Sequence, residues 1–339
     1  RRGAGAGSIG AALSRERRRT TDNGPRTTYS ILTMTLFEAI ILAIVQGLTE
    51  FLPISSTAHL RIVPALAGWS DPGAAFSAVI QIGTLAAVLA YFWRDVVRIV
   101  AAMLADLRHG KLAAGKLATT HDAMLGWMIA VGTIPIVVCG LAFKDAIETT
   151  LRSLYVVCGA LVVVAVLLAL AELAVRRRAA AGIAGREVGE LTWWDAIVVG
   201  FAQAAALIPG TSRSGATILG GLATGLSREA AARYSFLLSL PSIFAAGAYQ
   251  LVAAREELLA SESQVVKLVT AVVVSAIVGY ATIHWLLAYL RTHSTFVFIV
   301  YRILLAAVVL GLVWSGRVPA EDGGAEVSPG VANVVAQNR

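Results

Sequence analysis

The sequence predicts an all-α polytopic membrane protein: six transmembrane helices plus two re-entrant helix–loop–helix hairpins in an inverted-topology repeat. Three observations carry that prediction. Hydrophobic residues make up 57% of the chain and charged residues 14%, with mean hydropathy +0.74, whereas a soluble domain carries about 25% charged residues. Six apolar runs are long enough to cross a bilayer. Two more apolar segments are too short to cross and are broken by Pro, Gly, Ser and Thr.

In chain order, residues 1–33 are polar and Arg-rich, with no apolar stretch that could serve as a secretory signal. They read as a disordered basic extension. Met34 stands directly before the amphipathic start Thr35-Leu36-Phe37-Glu38, so the folded protein is expected to begin there. Residues 34–315 form the membrane domain, with repeat 1 at about 36–175 and repeat 2 at about 193–315, and residues 316–339 form a disordered tail.

The expected spans are Phe76–Trp93, Ala123–Phe143, Ser153–Val175, Glu229–Leu251, Val265–Leu290 and Phe296–Trp314. Tyr91, Trp93, Trp127, Tyr155, Tyr289, Tyr301 and Trp314 read as interfacial anchors. The loops Arg94–His121 and Arg176–Leu191 are basic, while Trp69–Ala75 and Arg255–Gln264 are not. That alternation puts the basic loops in the cytoplasm. The formal charge of +7 lies mostly in these loops and the N-terminal segment, which gives no support for a nucleic-acid partner. Cys139 and Cys158 lie in apolar runs and read as buried hydrophobes.

The two broken segments, Leu36–Ala67 and Trp193–Thr224, read as the hairpins, because irregular backbone at membrane depth needs protein or a water-filled cavity around it. They also resemble each other. Ala39, Ile40 and Gln46 align with Ala196, Ile197 and Gln203; after a one-residue gap, Pro53 and Ser56 align with Pro209 and Ser212. An odd number of spans between the copies inverts the second.

The chemistry concentrates in these breaks. Gln46 and Glu50 are four residues apart and share a helix face. Ser55, Ser56, Thr57 and His59 follow Pro53. An intramembrane carboxylate beside an imidazole is a functional candidate, and helix capping alone accounts only for the hydroxyls. The second break, Pro209–Thr217, supplies Arg213 with Thr211, Ser212, Ser214, Thr217 and two glycines ahead of a helix. That set suits phosphate or pyrophosphate. It lacks the Lys of a Walker P-loop. Glu172 is expected at the interface, His284 and His293 in structural roles, and Gly221 with Gly225 as a close helix-packing pair.

Gln46–His59 and Pro209–Thr217 resemble the Glu/Gln-x-x-x-Glu…Ser-Ser-Thr-x-His and Pro-Gly-x-Ser-Arg-Ser-Gly motifs of the undecaprenyl-diphosphatase (bacitracin-resistance) family. The resemblance covers about residues 34–315. It implies an integral membrane hydrolase of the bacterial cell membrane, open to the extracytoplasmic side, that converts undecaprenyl diphosphate to undecaprenyl phosphate and inorganic phosphate. That recycles the lipid carrier for cell-wall synthesis. It further implies a divalent cation, Mg²⁺ or Ca²⁺, with Glu50 as its ligand. Glu50, Ser56, His59 and Arg213 take the catalytic roles, and Gln46, Ser55, Thr57, Ser212, Ser214 and Thr217 contact substrate. The expected partners are the polyprenyl lipid and the membrane, with a homodimer as a candidate assembly. The attacking group is left open between water, Ser56 and His59. The alternative reading is a polyprenyl-phosphate flippase, with or without hydrolysis. Removing residues 1–33 should leave phosphate release unchanged in detergent; an inactive truncation would place part of the site in that segment.

Overall fold

The computed structural model describes residues 34–70, 73–109, 120–148, 151, 153–318 and 320. The expectations for residues 1–33, for Lys111 and Lys116 and for most of the C-terminal tail fall outside them.

Hydroxyl caps decide where most helices start. Thr35 begins α1 (Leu36–Thr49) with a capping box closed by Glu38, and Ser55 caps α2 (Ser56–Ala67). The chain continues through α3 (Gly73–Tyr91), α4 (Trp93–Arg108), α5 (His121–Ala142), the short α6 (Lys144–Glu148) and α7 (Leu154–Ala180). Thr192 begins α8 (Trp193–Ala205) with a second capping box, closed by Asp195, and Ser212 caps α9 (Arg213–Thr224). Next come α10 (Arg228–Ala253), the short α11 (Arg255–Leu258), α12 (Glu262–Thr292) and α13 (Phe296–Trp314).

The two hairpins, α1–α2 and α8–α9, are copies in detail. Thr35 matches Thr192, Glu38 matches Asp195, Gln46 matches Gln203, and the left-handed C-cap Gly68 matches Gly225. Ser55 matches Ser212, and these are the two non-glycine residues at positive φ among the described residues, at 74° and 71°. The spacing is the same at every pair. The expected one-residue gap is therefore wrong: Ser212 is the counterpart of Ser55, and Ser56 is the counterpart of Arg213. Aligning the prolines imposed that gap, but the backbone is set by the caps. Gly225 likewise serves as a C-cap rather than as half of a packing pair, while Gly221 does lie close against Ala231.

Among the described residues, five helices, α5, α7, α10, α12 and α13, are long and apolar enough to span a membrane, and α3 with α4 makes a sixth only as a broken pair. The leading helix of each hairpin docks on a helix distant in sequence, α1 on α12 and α8 on α5. Close approach there needs glycine: a Cβ on Gly200 would sit 2.7 Å from the Gly132 carbonyl oxygen, and one on Gly47 would sit 2.7 Å from Val278 Cβ. Lateral faces carry apolar rows such as Val163, Val166 and Leu170 on α7 and Val269, Val273 and Ile277 on α12, all exposed. Such surface suits lipid.

Two expectations are corrected. Arg94–His121 is not simply a loop, because Trp93–Arg108 is helical and turns 81° from α3. Its apolar residues, including the buried Ile99, recur at helical spacing among Arg94, Asp95 and Arg98, so the charges concealed the period. Glu172 is fully buried rather than interfacial. It accepts from Arg228 Nε at 2.8 Å and from the Thr295 hydroxyl at 3.0 Å, tying α7 to the starts of α10 and α13.

The outer ends of the second hairpin are clasped by Arg186. Its guanidinium donates to both Asp195 oxygens, at 2.8 and 2.6 Å, and to the Thr224 carbonyl at 2.8 Å. Burial alone would raise the Asp195 carboxyl, but the bonds from Arg186 and Thr192 hold it down to about 2. Gly200→Ala should overpack the α5–α8 crossing and destabilise the fold by about 1–3 kcal/mol, seen as a lower Tm in detergent.

Candidate active site

Helix α1 brings Gln46 and Glu50 onto one face, as their spacing requires. The Gln46 amide donates to Glu50 Oε2 at 2.9 Å, and the Ser56 hydroxyl donates to the same oxygen at 2.7 Å. Gln46 is fully buried, and its Oε1 has no hydrogen-bond partner. This is an acceptor held out of bulk water, which normally costs free energy unless a ligand meets it. The chain then turns sharply through Pro53 into the left-handed Ser55, whose hydroxyl caps the Ala58 amide and meets Thr57 Oγ1 at 3.1 Å. His59 follows, buried, with Nδ1 2.7 Å from the Ser55 carbonyl and Nε2 2.7 Å from the Tyr301 hydroxyl. Tyr301, expected as an interfacial anchor, thus also reaches the first tip.

The second tip repeats this geometry with different chemistry. Ser212 caps the Gly215 amide at 3.1 Å and meets the Ser214 hydroxyl at 3.1 Å. Arg213 opens α9, and its Nη1 is buried without a hydrogen-bond partner. Thr217 is already committed, donating to the Arg213 carbonyl at 2.7 Å and paired with the Ser235 hydroxyl.

Two connections bring the tips together. The Ser214 hydroxyl donates to the Leu52 carbonyl at 2.9 Å, so the residue after Arg213 is tied to the turn after Glu50. Arg302 makes the other. It is fully buried on α13 and donates to five carbonyls: Pro53 at 3.0 Å on the first tip, Gly210 at 2.9 Å and Thr211 at 3.1 Å on the second, and Leu161 at 3.1 Å and Ala160 at 3.2 Å on α7. Sequence reading passed over Arg302 because it lies within a run assigned as a span. The signal was available, since a charge inside a span is functional or structural by default.

All the predicted site residues thus lie on two joined tips. Gln46, Glu50 and Ser56 form one hydrogen-bonded group, and His59 points to Tyr301. Thr57 is exposed, and Ser55, Ser212 and Ser214 use their hydroxyls to shape the tips. Oxygen donors of this kind, a carboxylate and a free amide oxygen, suit a hard divalent cation completed by water and phosphate oxygens. No group of three or more His, Cys, Asp or Glu residues that could by itself hold a metal occurs among the described residues.

A family model described as bacitracin resistance protein BacA matches residues 39–308, which include both tips and Arg302. The chain belongs to that family. Its relatives include an undecaprenyl-diphosphatase of Prosthecochloris aestuarii, 58% identical over 85% of this chain and 100% of that protein. Those of Chlorobium phaeobacteroides and Chloroherpeton thalassium are 57% and 54% identical, each over the same 85% and 100%. The match ends short of both termini of the chain, as the motif resemblance implied.

Arg302→Lys keeps the charge but offers three donors for five carbonyls. Each carbonyl left without a donor should cost about 1–3 kcal/mol. The expected outcome is a lower Tm together with loss of phosphate release, and a variant matching wild type in both would refute the anchoring role.

Proposed function

We propose that the chain is an undecaprenyl-diphosphate phosphatase, a hydrolase of a polyprenyl phosphoric anhydride. The observation that carries this reading is the pairing of unlike chemistry across the joined tips. Glu50 with Gln46 and Ser56 stands on one tip, and Arg213 with a buried, unengaged Nη1 on the other. A pyrophosphate is the ligand that needs both. Arg213 and the start of α9 neutralise its oxygens, while the Glu50 group supplies an activated hydroxyl.

Ser56 already donates to Glu50, so its proton has an acceptor in place. The attacker is therefore Ser56 itself, or a water molecule that takes the same bond to Glu50. Both nitrogens of His59 are engaged, which favours proton handling over nucleophilic attack. Mg²⁺ or Ca²⁺, held by Glu50 and the free oxygen of Gln46, would supply charge neutralisation to the leaving phosphate. The basic loops favour an orientation with the hydrolysis open to the extracytoplasmic side of the bacterial cell membrane. Both hairpins are read as re-entrant, since α1, α2, α8 and α9 have 12–14 residues each, too few to cross. The relatives above are named for hydrolysis and not for translocation, so transport is not carried forward.

Purified protein in detergent should release phosphate from undecaprenyl diphosphate and lose that activity with a chelator. Glu50→Gln and Arg213→Ala should each lower the rate by about 10²–10³-fold without loss of membrane expression. A fully active variant of either would overturn the site, and a trapped phosphoserine at Ser56 would exclude direct attack by water.

A further inference from the structure

His59 is the one imidazole on the two tips, and the structure determines which of its nitrogens carries the proton. Nδ1 lies 2.7 Å from the Ser55 carbonyl, and a carbonyl only accepts, so Nδ1 carries a proton. In the neutral ring Nε2 is then the lone-pair nitrogen. Its partner is the Tyr301 hydroxyl at 2.7 Å, which donates to it. The two ring planes lie 8° apart with centroids 5.6 Å from each other.

The origin of this contact is as informative as its length. Tyr301 precedes Arg302 on α13, so the five carbonyl bonds that lock the hairpin tips also lock the phenol. Among the described residues no carboxylate hydrogen-bonds to His59. The charged group that faces it is Arg302. A catalytic imidazole ordinarily has its far nitrogen oriented by a carboxylate or carbonyl. Here the backbone of Ser55 does that, and the near nitrogen is presented through a phenol. His59 is 7% exposed and Tyr301 41%, so the phenol is the outer member of the pair.

We propose that Tyr301 is a positioning residue for His59, its hydroxyl donating to the lone pair of Nε2 and so holding the ring in one orientation. The proposal rests on the hydrolytic reading above, but its structural half can be tested without it. Tyr301→Phe removes the hydroxyl and keeps the ring.

Protein labelled with ¹⁵N-histidine, with the His59 signals assigned by their loss in His59→Asn, reads the tautomer directly. Wild type should show a neutral ring protonated on Nδ1; Tyr301→Phe should keep that tautomer, set by the Ser55 carbonyl, but shift the Nε2 signal as its hydrogen-bond donor is lost. The same variant should lose about 10–100-fold in kcat, with KM within about twofold and an unchanged Tm. A wild-type ring protonated on Nε2 would overturn the proposal. So would a Tyr301→Phe protein with a wild-type Nε2 signal and kcat, or one whose only defect is a lower Tm. If wild type releases no phosphate at all, the hydrolytic reading fails, and the nitrogen signals still decide the role of Tyr301.

Discussion

The structure depends on a buried guanidinium that is satisfied by backbone rather than by a carboxylate. Arg302 lies in the apolar interior with no exposed surface, where an unpaired cation would be prohibitive. Five carbonyls from three separate segments surround it. Turning a chain inside a membrane leaves carbonyls that neither helix can satisfy. A planar group with five donors in a fixed fork answers several of them at once. The cation therefore solves the folding problem of both tips, and in solving it sets their separation. The placement of the tips is in this sense a by-product of hydrogen-bond accounting.

Around that anchor the two tips share one backbone and differ in chemistry. Ser55 and Ser212 take the same left-handed conformation and cap their helices through the same amide, three residues on. A serine at positive φ costs free energy that glycine would avoid, and the capping hydroxyl explains why glycine does not replace it. At matching positions the first copy has Glu50, Ser56 and His59, whereas the second has Leu207, Arg213 and Ala216. The carboxylate and imidazole lie on one copy and the arginine on the other, so the joined tips carry unlike side chains on matching backbones.

Much of this was legible in the residues. The i, i+4 spacing of Gln46 and Glu50 put them on one helix face, where the structure adds a hydrogen bond; the Ser/Thr hydroxyls read first as functional also cap helices. The breaks in apolar sequence located both tips. Three features were not legible, for different reasons. Arg302 was averaged into a span, since a hydropathy window gives one charge little weight. Helix α4 was concealed because an amphipathic helix carrying Arg94, Asp95 and Arg98 resembles a basic loop. The burial of Glu172 depends on Arg228 and Thr295, which are distant in sequence.

The crossed docking of the hairpins, α1 on α12 and α8 on α5, bears on the history of the molecule. The leading helix of each hairpin packs mainly on the other half of the chain, while α9 also packs on α10 of its own half. A half-length chain would leave one face of each hairpin uncovered, and a second half-chain would cover it. The division of labour between a carboxylate tip and an arginine tip is a state that identical subunits could not have reached.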